Sequence, residues 1–202
     1  MTFDELIDTA RTPAKIQQFF DCYKDAQADA AIASKDALPI RLFAPLMSNI
    51  ILMECVSGDQ LIYKIAGENI IARMGFNPKG INLFDVLPTS AHSILKPVQD
   101  ALFGYPCGIY VVYENSYATG HHSQTETFLL PLRQNAKTKP NLMLAYNIHH
   151  ALTGVSETDG KMSLVNRWET ASFVDIGFGS PRSEEMDALK QQITSTLETQ
   201  TP

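Results

Sequence analysis

The chain has 202 residues, enough for one sizeable core, and its 45% hydrophobic and 19% charged content is that of a globular protein, not a disordered one. With 16 Lys and Arg against 22 Asp and Glu it carries a formal charge of -6, which excludes nucleic-acid backbones and anionic membrane surfaces as general partners. Three scattered cysteines, Cys22, Cys55 and Cys107, form no C-x-x-C pair, so neither a disulfide framework nor a cysteine zinc site is indicated and a reducing compartment is expected.

The N-terminus, MTFDELIDTARTPAK, carries acids where a signal peptide needs basic residues, and no apolar run approaches the ~18 residues of a membrane span. A soluble, cytoplasmic chain is the expectation. From Pro13 the residues are helix formers, with Ile16, Phe19, Phe20 and Tyr23 at three- and four-residue spacings. The pattern predicts a helix over about 13–33, with Thr12 as N-cap and Pro13 at the first helical position. A proline-punctuated connector with one short helical turn, SKDALPIRLFAPLMSNI, leads to two apolar runs, 50–56 and 60–66, that flank Ser57-Gly58-Asp59 and predict a hairpin.

Gly67 ends the second strand, and ENIIARMGF then puts Ile70, Ile71 and Met74 on one helical face. INLFDVLP adds another helical turn closed by Pro88, and a longer helix over about 90–103 is interrupted near Pro97 and stopped by Gly104. Three strand-like runs follow, 107–116, 122–133 and 141–150, joined by the short polar connectors YATGH and QNAKTKP. Beyond Ala151 the signals weaken: GVSETDGK reads as loop, SLVNRWETASFVDIGFG as a flap that returns to the domain and can add strand, and SPRSEEMDALKQQITSTLE as a terminal helix.

In its element order, ββααα then βββ, the stretch 38–150 resembles a PAS sensory domain of the stand-alone branch common in alphaproteobacteria. The carrying residues are LPIR (38–41), LMECVSGDQLIYKIAG, Gly75 with PKGINLFDVLP, and FLLPL (128–132); where that branch usually has an acid before the proline, this chain has Ala44 before Pro45. The resemblance implies an α+β fold: a five-stranded antiparallel sheet with short helices over one face, an N-terminal helical extension (1–37) and a C-terminal extension (151–202). It also explains three glycines close together. Gly67 would permit the swing from strand into helix, and Gly75 and Gly80 would cap successive short helices in left-handed conformations. A phosphate loop is not indicated, because G-x-x-x-x-G-K-[ST] is absent.

A PAS fold implies a mostly apolar cavity between helices and sheet. Candidate lining residues are Ile65, Ile70, Met74, Leu83, Phe84, Leu95, Val98, Tyr110, Val112 and Phe128, each weighed against plain core packing. Nothing in the sequence requires a cofactor, and its identity, if one binds, is not specified by the sequence. Flavin photochemistry through a cysteinyl adduct is excluded, since GENIIARMGF holds no cysteine. Haem would need a histidine such as His92 on the long helix. His121, His122, His149 and His150 fall at one end of the predicted strands, but neighbours on a strand face opposite ways, so about half at most can share a metal. No G-x-S-x-G elbow, H-E-x-x-H helix or paired carboxylates can be located, and the chain is expected to be no enzyme.

The expected role is therefore a sensory or regulatory module that binds a small apolar ligand or a protein partner and signals through changed contacts. The alternatives are a ligand-free adaptor and a small cone-shaped α+β enzyme. The amphipathic N-terminal helix is the expected contact element, in a homodimer, with packing on its own sheet as the competing use.

Overall fold

The computed structural model describes residues 1–87, 89–116, 121–155 and 163–181, together with Glu184, Asp187 and Ala188. The strands are β1 (Ile50–Ser57), β2 (Gln60–Ala66), β3 (Cys107–Ser116), β4 (His121–Arg133), β5 (Pro140–Val155) and β6 (Ser163–Asp175). They form one antiparallel sheet in the order β2-β1-β5-β4-β3-β6. The expected count of five is thus corrected to six. The flap adds to the outer edge of β3, pairing Phe173 with Ile109 and Ala171 with Val111, because its alternation suits a strand covered on both sides: Phe173 joins one core and Val174 the other. Trp168 sits opposite Tyr113 in this pairing. Of the predicted terminal helix Glu184, Asp187 and Ala188 are described, all three helical; most of its other residues and the 117–120 connector lie outside the described residues.

Before and between the strands, among the described residues, lie the α-helices α1 (Phe3–Thr9), α2 (Pro13–Gln27), α3 (Ile40–Phe43), α4 (Glu68–Met74), α5 (Leu83–Val86) and α6 (Thr89–Gly104). Thr2 and Glu5 close a capping box over α1, a T-x-x-E signal. α2 starts at Pro13 as predicted but stops at Gln27, not near 33. The chain turns there through Ala28 (φ 47°) so that 32–34 can lie beside β4. Ala33 then donates its N–H to the Tyr23 hydroxyl (3.3 Å) and accepts from the Arg133 N–H (3.0 Å), contacts that a longer helix would forbid.

Helices cover both faces of the sheet, and strand parity divides the side chains between them. Even-numbered positions such as Leu52, Tyr110, Val112, Phe128, Leu130, Leu144 and Tyr146 meet Leu6, Ile16, Phe19, Phe20 and Tyr23 of α1 and α2. Phe19 stacks on Tyr146 and meets Phe128 edge-on. Odd-numbered positions such as Ile51, Met53, Ile109, Val111, Met143 and Ala145 face Ile70, Leu83, Leu87, Val98 and Leu102 of α4, α5 and α6. Residues before 38 and after 150 thus share these two cores with the central stretch. Among the described residues no helix is long and apolar enough to cross a membrane.

The glycines differ in what they do. Gly67 has an ordinary φ of -67°, but a Cβ there would lie 2.2 Å from the Met47 carbonyl oxygen, so it is close backbone approach that demands glycine. Gly75 does cap α4 in the left-handed region (φ 76°), as expected. Gly80 also has positive φ but serves a turn, not a helix end; its N–H donates to the Tyr63 carbonyl (2.8 Å).

Candidate functional site

Between α4, α5, α6 and the odd face of the sheet lies a cavity of about 130 Å³. Its larger part is apolar, formed by Ile51, Met53, Leu83, Leu95, Val98 and Met143 with their neighbours. The lining becomes polar where β3, β4 and β5 run side by side, at Tyr113, Asn115, Thr127 and Asn147, and Arg73 reaches this end from α4.

These polar groups are tied to one another. Asn147 is buried (6% exposed), accepts from Arg73 Nη2 at its Oδ1 (2.9 Å), and donates through Nδ2 to Tyr113 Oη (2.9 Å) and Thr127 Oγ1 (2.7 Å). Behind it Asn115 Nδ2 donates to Thr125 Oγ1 (3.1 Å), and His149, paired with Thr125 across the strands, meets Ser123 Oγ at 3.0 Å. Burial, followed by the Arg73 charge and then His150, pushes the His149 imidazole down to about 3, so it is neutral at physiological pH. The network fixes the amide of Asn147: its oxygen must face the guanidinium, since both its hydrogens go to hydroxyls.

Of the residues picked from sequence, Ile70, Met74, Leu83, Leu95 and Val98 line the cavity. Phe84 packs against the same core without lining the space, and its ring meets His92 edge-on. Tyr110, Val112 and Phe128 are corrected to the opposite face, against α1 and α2: in a strand buried on both sides, apolarity does not tell parity, and one step along the chain reverses the face. Ile65 is likewise misplaced. It pairs with Leu52, whose side chain is on that other face, and on edge strand β2 it is 40% exposed. The polar lining, Arg73 with Tyr113, Asn115, Thr127 and Asn147, is invisible to apolar periodicity. A pointer was present: polar residues at i and i+2 in otherwise apolar strands, as in Tyr113 and Asn115, Thr125 and Thr127, Asn147 and His149.

The described histidines go to separate partners. His122 meets Ser116 Oγ (2.6 Å), His149 meets Ser123, His150 lies 3.2 Å from Glu126 Oε2, and His92 donates to the Phe84 carbonyl (2.8 Å). Among the described residues no three His, Cys, Asp or Glu side chains gather as a metal-holding group; the side chain of His121 lies outside them. Burial pushes the Cys107 thiol up to about 12. On the even face Glu126, wholly buried, accepts from the Arg11 N–H (3.0 Å), the Tyr110 hydroxyl (2.6 Å) and the Thr12 hydroxyl, and so fixes the start of α2 to the sheet.

Two solved structures align with 92% of the chain: a Rhodobacter sphaeroides LOV protein (12% identity, 94% of its chain, TM-score 0.40) and a point variant titled RsLOV (13%, 95%, TM-score 0.39). No curated protein matches the sequence. A family model described as PAS domain matches residues 11–146, from the Glu126 contacts at the start of α2 through α6, β1 to β4 and the first half of β5. That match spans well over half of the 202 residues, and the chain belongs to the PAS domain family of sensory modules.

Proposed function

We propose that this protein senses a small, mainly apolar molecule held between α4, α5, α6 and the sheet, and that it signals through changed contacts and not through chemistry. The observation that carries this reading is the cavity itself: about 130 Å³ between the helices and the odd face of the sheet, with a mostly apolar lining. An apolar cavity of about 150 Å³ is enough for a benzene-sized guest. None of the described lining residues is His, Cys, Asp or Glu, the types that acid–base or nucleophilic catalysis draws on most.

The guest would act by population shift: it binds the packing of the three helices that leaves room for it better than a collapsed one, and so biases the surface those helices present. A second protein, or a second copy of the chain, reads that surface. The apolar stripe of α2 lies on its own sheet, so self-association through this helix would use its exposed residues, Lys15, Asp21, Lys24 and Asp25. Native mass spectrometry of freshly purified, tag-free protein tests both parts at once. An added mass that disappears on denaturation supports the sensor, and a doubled mass supports the dimer. A bare polypeptide that also gains no mass when offered small apolar compounds would refute the sensor in favour of a ligand-free adaptor.

A further inference from the structure

Tyr63, on edge strand β2, carries the argument one step further, resting on the ligand-binding reading above. We infer that the guest is an uncharged molecule of about one ring that bears a hydrogen-bond acceptor, such as a carbonyl oxygen or a ring nitrogen, and that the Tyr63 hydroxyl donates to it.

Tyr63 lines the cavity and is only 4% exposed, yet its hydroxyl makes no hydrogen bond among the described residues. The amide and hydroxyl groups of Asn147, Asn115 and Thr127, in the same lining, are bonded to other side chains of the sheet. A buried tyrosine ordinarily finds a partner for its O–H, because a buried donor left unmade has given up water for nothing. Burial, then Tyr113, pushes the Tyr63 hydroxyl upward, so it keeps its proton and remains a donor. A phenol also gives its proton more readily than it takes one, since an oxygen lone pair is shared with the ring. An acceptor on the guest therefore suits it better than a donor.

The position of the ring is fixed from both sides of its strand. Its backbone N–H donates to the Ile81 carbonyl (3.0 Å) and its carbonyl accepts from the Gly80 N–H (2.8 Å), while Met53 pairs with it on β1. Met53, Ile70 and Leu83 share its core and line the same cavity, surroundings in which an ion would be poorly solvated, so the guest is uncharged. The volume excludes long acyl chains and favours a single ring.

The test offers three ring-sized probes to the full chain at slightly alkaline pH, where all are uncharged: pyridine, which has an acceptor nitrogen, benzene, which has none, and pyrrole, which has an N–H donor and no free lone pair. Binding is followed in protein with methyl-labelled methionine, because Met53, Met74 and Met143 line the cavity and report a guest inside it. In Tyr63→Phe the affinity for pyridine relative to benzene should fall by about three- to tenfold, the worth of one neutral hydrogen bond, while that of pyrrole relative to benzene stays as it was. The same variant should unfold at an unchanged or higher urea midpoint, because the hydroxyl it lacks had no bond to lose. A pyridine-to-benzene ratio that survives Tyr63→Phe, a pyrrole ratio that falls equally, or a lower midpoint would each overturn the acceptor inference while benzene binding leaves the apolar sensor intact. No cavity methyl responding to any probe would overturn both.

Discussion

Replacing the buried Glu126 by Gln tests whether its carboxylate holds the N-terminal helix to the sheet. Tyr110 Oη (2.6 Å) and the Arg11 N–H (3.0 Å) reach Oε1, while the Thr12 hydroxyl and His150 Nε2 (3.2 Å) reach Oε2. Burial, then the bond to Glu126 and its charge, pushes the Tyr110 hydroxyl upward, so it keeps its proton and donates. A glutamine amide cannot face the Arg11 N–H, which only donates, so its NH2 must turn to the Oε2 side, where Thr12 and His150 can accept. Most contacts then survive, but each falls from a bond to a charge, about 1.5–3 kcal/mol, to a neutral one of about 0.5–1.5 kcal/mol. Because the four share one carboxylate they do not add, and a net loss of about 2–3 kcal/mol is expected. Urea unfolding followed by circular dichroism at neutral pH would show this as a lower midpoint with an unchanged slope. Amide exchange should quicken at Lys15 and Ile16, whose N–H groups bond the Thr12 carbonyl. A loss below about 0.5 kcal/mol, inside the range of ordinary surface substitutions, would refute the reasoning.

Three further outcomes follow from the geometry. Gly67→Ala should cost more than about 3 kcal/mol, since the new Cβ would meet backbone at 2.2 Å, whereas Gly75→Ala, with open space around it and only a left-handed φ to resist, should cost about 1–2 kcal/mol; thermal unfolding of the pair compares them directly. His149 is neutral when folded down to about pH 3 but titrates near 6.5 when unfolded, so the unfolded chain binds the extra proton and stability should fall as pH drops below about 6.5; urea midpoints between neutral and mildly acidic pH should change less in His149→Gln. Deleting residues 1–33 removes wholly buried Leu6, Ile16, Phe19 and Tyr23 and bares their sheet face; light scattering should therefore find aggregates, and a well-folded soluble monomer would contradict the packing.

Much of the fold is legible where chain-local physics decides it. The Ser57-Gly58-Asp59 turn, the Thr12-Pro13 start of α2 and the left-handed cap at Gly75 are each set by two or three adjacent residues, and all are found where the sequence puts them. The end of α2 is not such a feature. Nothing in ADAAIA forbids more helix; the stop comes from Ala33 and Ser34 docking beside Arg133, a hundred residues away. Gly67 shows the same in reverse: the sequence places a glycine at the strand end, but what requires it is the passing backbone of Met47 and Ser48, which no local rule contains.

The cavity was half legible for a reason of its own. Helical candidates Ile70, Met74, Leu83, Leu95 and Val98 all reach it, because a short amphipathic helix has one apolar side and that side must point inward. A strand covered on both faces offers no such guide: in GIYVVY each face presents one tyrosine and β-branched neighbours, and Tyr110 and Val112 look as good as Val111 and Tyr113. What breaks the tie is polarity, not apolarity. Tyr113, Asn115, Thr127 and Asn147 occur at even spacing within buried strands, where a polar side chain is tolerated only if partners meet it. The hydrogen bonds that join them line the cavity wall on the odd face, where Arg73 meets Asn147, whereas the buried Glu126 of the even face is bonded to Arg11 and Thr12 at the start of α2. In a sheet buried on both sides, the polar residues whose bonds run along the cavity wall mark its lining, and those taken up by a packed helix, as Glu126 is by the start of α2, do not.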